Sequence, residues 1–294
     1  MTFIETYTRE LSHIITTRLH ELIPSHAKQH SILYEAANYS LRSKGKRLRP
    51  ILTLAAAEMF TVEKGLALDP ACCIELIHTY SLIHDDLPSM DDDDFRRGKP
   101  SLHKVYPESI AILTGDFLLT FAFEVLANSK NISSDKKIEL TRILSQNAGA
   151  EGMIAGQAID LLNEGKSIEF DDLKDMHLKK TAALLSACLE FAAVLGNASP
   201  QEFDILKSYA LDLGLAFQIQ DDILDVTASF ESLGKPAKSD IINQKATSIS
   251  CLGLEKAKEY VNALHENCIQ ALNKLDRPTK ILKELTTKLI LRNS

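Results

Sequence analysis

Carboxylates gather twice in this sequence, at Asp85-Asp86-Leu87-Pro88-Ser89-Met90-Asp91-Asp92-Asp93-Asp94 and at Asp221-Asp222-Ile223-Leu224-Asp225, each after a long apolar run. Acids placed where a helix meets a loop make a poor core and a good oxygen cage for a hard cation such as Mg²⁺. In the second cluster Asp221 and Asp225 stand at i and i+4, about 40° apart around a helix and about 6 Å along it, so both can face one cavity with Asp222 beside them. Their flanks, Leu213 to Ile219 and Ile223 to Val226, are apolar, so the three acids need something to neutralise them. The first cluster needs a different device. Asp85 and Asp91 would lie about 120° out of register on a continuous helix. Pro88 removes a helical donor and biases the residue before it away from helix, which lets the chain curl Asp91 back toward Asp85. A cation there would also sit at the negative end of a helix dipole. Asp92 to Asp94 read better as a solvated run or a cap than as ligands. The two clusters are expected to close one divalent-metal site from both sides.

Basic residues stand beside the acids. Arg42, Lys44, Lys46, Arg47 and Arg49 follow one another with no acid among them, and Arg96-Arg97-Gly98-Lys99 comes directly after the first cluster. That arrangement suits a small polyanion bound partly through metal. The net charge of −7 speaks against a general nucleic-acid binder. His78 precedes Asp85 by two turns and lies within about 20° of the same face, with Ser81 one turn below Asp85 and Tyr80 close by. Taken singly, each of these three reads as a packing residue.

The elements that must position these residues are helical. Apolar residues recur at helical spacing, with small or polar residues set into the stripes, as in Ile74, Ile77, Ser81 and in Leu211, Leu215, Gln218, Ile219, and no convincing strand alternation appears. Helices are expected over roughly 3–22, 28–43, 48–61, 69–87, 106–127, 134–151, 170–195, 201–227, 240–250, 253–274 and 277–291. Only 12 Gly and 9 Pro in 294 residues fit long helices with short connections. No Gly/Ser/Pro-rich linker divides the chain, so one domain over 1–294 is expected. The five cysteines are odd in number and lack CxxC spacing, which suits reduced packing residues in the cytoplasm. Met1 to Arg18 lacks a signal-peptide core, and the apolar run Ala182 to Leu195 is too short to span a bilayer. A soluble protein without stable membrane insertion is expected.

The string Gly45-Lys46-Arg47-Leu48-Arg49-Pro50, then His78-Thr79-Tyr80-Ser81-Leu82-Ile83-His84 before the first cluster, then Arg96-Arg97-Gly98-Lys99-Pro100, resembles the trans-prenyltransferases, the short-chain isoprenyl diphosphate synthases. The resemblance continues in order through Gly115-Asp116, Gly156-Gln157, Lys180-Thr181, Phe217 to Asp225 and Gly234-Lys235. It implies an all-α orthogonal bundle around a deep central cavity, the isoprenoid synthase type, working as a homodimer. It also implies a reaction: isopentenyl diphosphate is joined to an allylic diphosphate with release of pyrophosphate. On the family pattern Asp85, Asp91 and Asp221 hold Mg²⁺, with Asp86 and Asp225 supporting through water. Arg96, Lys180, Lys235 and Lys245 would grip the allylic diphosphate, and Lys46, Arg49, His78 and Arg97 the isopentenyl diphosphate. Thr181 and Gln218 match positions whose oxygens face the carbocation, while the departing pyrophosphate serves as base.

Tyr80, with Ser81 beside it, falls where the family sets product length. An aromatic there, with two extra residues between Asp86 and Asp91, resembles the bacterial farnesyl diphosphate synthases. Two condensations are therefore expected, from dimethylallyl through geranyl to farnesyl diphosphate, with geranylgeranyl diphosphate as the alternative product. Terpene cyclases resemble the chain less, because their second metal motif mixes Asn, Ser and Glu. An HD-type phosphohydrolase, prompted by His84-Asp85, lacks further His ligands in context. A non-catalytic regulatory subunit would be expected to lose carboxylates that this chain keeps. One departure stands out: Gln244-Lys245-Ala246-Thr247-Ser248 replaces the family's Gly-Lys-Ser-Thr-Tyr, and Lys238 replaces a glycine.

Overall fold

The computed structural model describes residues 2–24, 30–227 and 246–292. It is all-α, and the chain divides into two compact units, 1–141 and 142–294.

In the first unit the helices are α1 (Phe3–Leu22), α2 (Ser31–Leu41), α3 (Leu48–Met59), α4 (Lys64–Asp85), a short α5 (Leu102–Val105) and α6 (Glu108–Asn128). α1 begins with a reciprocal capping box between Thr2 and Glu5. α4 is the centre of the unit. Cys72, Cys73, Ile74, Leu76 and Ile77 are all fully enclosed, so the helix is buried on every side and packs against α3 and α6. It starts at Lys64, five residues before the expected 69, and carries Pro70 within its body. The expected stop is present: α4 ends at Asp85, three residues before Pro88. α4 and α6 are also longer than the run 182–195, and both are long and apolar enough to cross a membrane. Here they pack on one another, α4 as a mostly buried core helix and α6 with one face exposed.

Two short strands break the helical pattern, β1 (Phe95–Arg96) and β2 (Lys99–Pro100), paired antiparallel with Arg96 opposite Lys99. Arg97 (φ 55) and Gly98 (φ 76) both take left-handed backbone at the tip. Positive φ at both central positions is the type I′ turn, which matches strand twist in a two-residue hairpin, and glycine supplies one of them without steric cost.

α7 (Ser134–Ala148) carries the boundary between the units. The second unit continues with α8 (Met153–Asn163), α9 (Phe170–His177), one π-helical turn (Leu178–Ala182), α10 (Ala183–Leu195), α11 (Pro200–Thr227), α12 (Ser248–Leu252), α13 (Leu254–Asn273) and α14 (Lys280–Ile290). α8 was not among the expected helices, and the expected helix 170–195 is three segments. α10 is enclosed on all faces and buries Glu190, which accepts from Ser186 Oγ at 2.7 Å and Asn147 Nδ2 at 3.3 Å. α11 packs against α10 and α13, and Tyr209 on it shares a buried 2.8 Å hydrogen bond with Thr286 of α14. Four of the five cysteines are buried, and all are free thiols.

Candidate active site

The first cluster is shaped by the end of α4. Asp86 N–H donates to Leu82 O at 3.1 Å, and Asp91 N–H reaches back to Asp85 O at 2.9 Å. Met90 and Asp92 N–H both close on Leu87 O, at 2.9 and 3.1 Å, with Asp92 in left-handed backbone. The curl that Pro88 was expected to allow is therefore held by main-chain bonds, and Asp85 and Asp91 lie half-buried at its two ends.

Asp86, expected to support the metal through water, is buried and engaged by Arg96, whose Nε donates to Oδ1 at 2.8 Å. The same guanidinium reaches Asp93 at 2.7 Å. Burial raises the Asp86 carboxyl, and the Arg96 hydrogen bond opposes that shift. Arg96 is thus fixed by two acids of the cluster before any substrate arrives.

The hairpin turn delivers Arg97 to α4. Its guanidinium lies 3.4 Å from His78 Nε2 and 3.5 Å from Ser43 Oγ. Desolvation, then the charges of Arg49, Arg97, Arg47 and Arg96, lower His78 well below the ordinary histidine value. A neutral imidazole keeps a lone pair, so Nε2 can accept from Arg97. A side chain at Gly45 would collide with the Arg97 guanidinium. Arg49 is half-buried and Lys46 exposed. Arg47 belongs elsewhere: it pairs with buried Glu75 at 2.8 Å.

Tyr80 is 5% exposed, and Ser81 Oγ donates to His78 O at 2.9 Å. The Tyr80 ring meets His84 edge-on, with centroids 5.8 Å apart. His84 was missed as a site residue. Its Nε2 lies 3.0 Å from Ile112 O on α6 and 3.9 Å from Asp116, and any side chain at Gly115 would occupy the space of its ring. The Gly115-Asp116 pair was legible, but not that the glycine makes room for a ring from another helix.

In the second unit the π turn presents Lys180 and Thr181. Gly156 of α8 lies against the Lys180 backbone so closely that a Cβ there would clash. Lys180 Nζ pairs with Asp160 at 2.6 Å, an acid one helical turn past Gly156 that the sequence did not mark. Thr181 Oγ1 donates to Gln218 Oε1 at 3.1 Å, and Gln218 Nε2 donates to Asp222 at 3.3 Å. Asp222 is buried, accepts from Ser248 N–H at 2.7 Å, and has His177 Nε2 3.8 Å away. Asp221 and Asp225 are half-buried on the same helix. Asp221 is paired with Arg292, whose guanidinium also stacks on the Phe217 ring at 4.1 Å. Gln220 Nε2 donates to Arg292 O at 3.0 Å. Lys235 and Lys245 lie outside the described residues.

Among the described residues no group of three His, Cys, Asp or Glu side chains is gathered closely enough to cage an ion alone. The donor chemistry nevertheless suits Mg²⁺: Asp85, Asp91 and Asp221 offer hard oxygens, and Asp221 already accepts a cationic group in Arg292.

Residues 30–285 match the family model described as Polyprenyl synthetase. The chloroplastic geranylgeranyl pyrophosphate synthase 7 of Arabidopsis thaliana is 44% identical over 247 residues, covering 83% of this chain and 71% of that protein. The farnesyl diphosphate synthase of Geobacillus stearothermophilus is 45% identical over 240 residues, covering 81% and 80%. Among solved structures, the Helicobacter pylori geranyltransferase complexed with magnesium and isoprenyl diphosphate superposes with TM-score 0.85 at 34% identity, covering 99% and 97% of the two chains.

Proposed function

Because this chain belongs to the polyprenyl synthetase family and is a trans-prenyl diphosphate synthase, we propose that it joins isopentenyl diphosphate to dimethylallyl and then geranyl diphosphate, releasing pyrophosphate and stopping at (2E,6E)-farnesyl diphosphate. The observation that carries the stop is Tyr80. It is a buried aromatic on α4, the helix that ends in Asp85, and His84 braces its ring. A tail that grows down α4 from the first cluster meets that ring as a floor.

Asp85, Asp91 and Asp221 are the proposed Mg²⁺ ligands, and the metal supplies charge neutralisation for the departing pyrophosphate. Its support is the oxygen donor set and the magnesium complex of the Helicobacter relative. The chain's own side chains do the rest. Arg96 and Lys180 grip the allylic diphosphate from ion pairs that already fix their long stems, to Asp86 and Asp93 and to Asp160. Lys235 and Lys245 are proposed to join them. Isopentenyl diphosphate must not ionise, so Lys46, Arg49, Arg97 and His78 hold it without metal. Neutral His78 orients Arg97 by accepting its hydrogen bond. Thr181 and Gln218 turn oxygens toward the allylic cation, an electrostatic role. Departing pyrophosphate takes the final proton, and no protein base is proposed.

A geranylgeranyl product is the second reading, favoured by the identity to the Arabidopsis synthase. Chromatography of products from labelled isopentenyl diphosphate and dimethylallyl diphosphate separates the two. The expected result is a fifteen-carbon product from the wild type and a longer one from Tyr80→Ala. A twenty-carbon wild-type product overturns the farnesyl reading, and a Tyr80→Ala enzyme that still stops at fifteen overturns the floor.

We further propose a cytoplasmic homodimer that acts as one functional domain, with no nucleic-acid partner and no stable membrane insertion. The family match running across both units supports the single functional domain. Exposed Ile112 and Leu113 on α6 support the dimer, and the free thiols support a reducing compartment. Buried Glu75 and half-buried His78 support α4 as a core helix.

A further inference from the structure

The second aspartate of the second cluster is turned away from its neighbours' task. Asp222 is 3% exposed, and each of its oxygens accepts a hydrogen bond, Oδ2 from Ser248 N–H at 2.7 Å and Oδ1 from Gln218 Nε2 at 3.3 Å. A carboxylate that only accepts decides which end of the Gln218 amide faces it: the NH2 must point to Asp222 and the carbonyl oxygen away. That oxygen is where Thr181 Oγ1 donates, at 3.1 Å. The hydroxyl has one proton, and it is committed to Gln218. Its oxygen therefore presents lone pairs alone to anything else it meets.

We propose that Asp222 is a positioning residue: it sets the polarity of the chain Asp222–Gln218–Thr181 so that the Thr181 oxygen meets the electron-poor allylic carbon as an acceptor. This rests on the prenyl-transfer reading above. Hydrogen bonds in series polarise one another, so the Asp222 charge adds electron density at Thr181 without touching substrate. Ser248, the last residue of the string that departs from the family's usual one, anchors the relay at its buried end.

Asp222→Asn tests the polarity while keeping the bonds. Ser248 N–H still demands an oxygen, so the new amide turns its NH2 to Gln218. Gln218 must then flip, accept from that NH2 and donate to Thr181, which occupies the lone pairs needed by the cation. The expected result is a kcat lower by roughly tenfold, with allylic KM, calorimetric Mg²⁺ affinity and melting temperature held. In a Thr181→Val background the same change should cost less than in the wild type, since the part of its route through Thr181 is already cut and only the turn of Gln218's own oxygen remains. In protein labelled with ¹⁵N-glutamine, the Gln218 side-chain amide resonance, identified by its loss in Gln218→Glu, should move in Asp222→Asn, where the NH2 exchanges its acceptor. An unchanged kcat, a parallel loss of Mg²⁺ affinity, full additivity with Thr181→Val, or an unmoved resonance each overturns the role of Asp222. A wild type that releases no pyrophosphate overturns the prenyl-transfer reading itself, a result distinct from an active wild type beside an unimpaired Asp222→Asn.

Discussion

Arg47 lies between two residues proposed to bind phosphate, yet its work is structural. At φ 49 it stands at the start of α3 and turns its guanidinium inward, donating to Glu75 at 2.8 Å, to Ser43 O at 3.2 Å and to Leu41 O. Both partners of the pair are enclosed, at 2% and 1% side-chain exposure. Removing the acid's charge leaves a buried guanidinium uncompensated, which costs several kcal/mol. Glu75→Gln is expected to lower stability by about 3 kcal/mol in urea unfolding, and a loss under about 0.5 kcal/mol would contradict the account. The sequence showed a run of basic residues here and could not say which one turns inward, because Glu75 is written on another helix. The same holds for Asp160 under Lys180 and for Arg292 on Asp221. By contrast, the Asp85–Asp91 curl was legible, because Pro88 is a local instruction.

Elements were readable where apolar period and capping agree, as in α1 with its Thr2–Glu5 capping box. α8 lay between the expected helices 134–151 and 170–195, and its Gly156 stands where a Cβ would collide with the Lys180 backbone, a contact written on another element. Periodicity joined 170 to 195 into one helix because the π turn interrupts the register without interrupting the coil. α11 shows a cap that works through charge. Glu202 Oε2 accepts from Ser199 N–H at 2.8 Å while Arg277 donates to Oε1 at 2.8 Å. The Arg277 bond first, then Ser199, pull the Glu202 carboxyl from 4.5 down to about 2. A lowered acid stabilises the fold above its unfolded value, so this contribution is present above about 4.5 and is lost as pH falls toward about 2. Glu202→Gln should move the acid-unfolding midpoint to higher pH within that window, and an unshifted midpoint would refute the assignment. The pair is partly solvated, so the shift should shrink in high salt.

At the scale of the whole molecule, α6 leaves Ile112 and Leu113 exposed, at 39% and 49%, on a helix whose other face is core. Sedimentation should find twice the 32.6 kDa chain mass for the wild type and a monomer for Leu113→Asp. A monomeric wild type would sink the dimer. Sequence composition spoke against the basic surface of a nucleic-acid binder, but the exposure of Ile112 and Leu113 on α6 became visible only once its buried face was known. One long-range contact has a bearing on how the molecule is charged with metal. The stretch beyond α14 brings Arg292 onto Asp221, where Gln220 and Phe217 also hold it. A divalent ion taken up by Asp221, as proposed above, would meet a carboxylate whose Oδ1 is already paired, so uptake would compete with the guanidinium for its charge. The metal's apparent affinity would then carry within it the free energy of that competition, and the ion would bear on how firmly Arg292 is held.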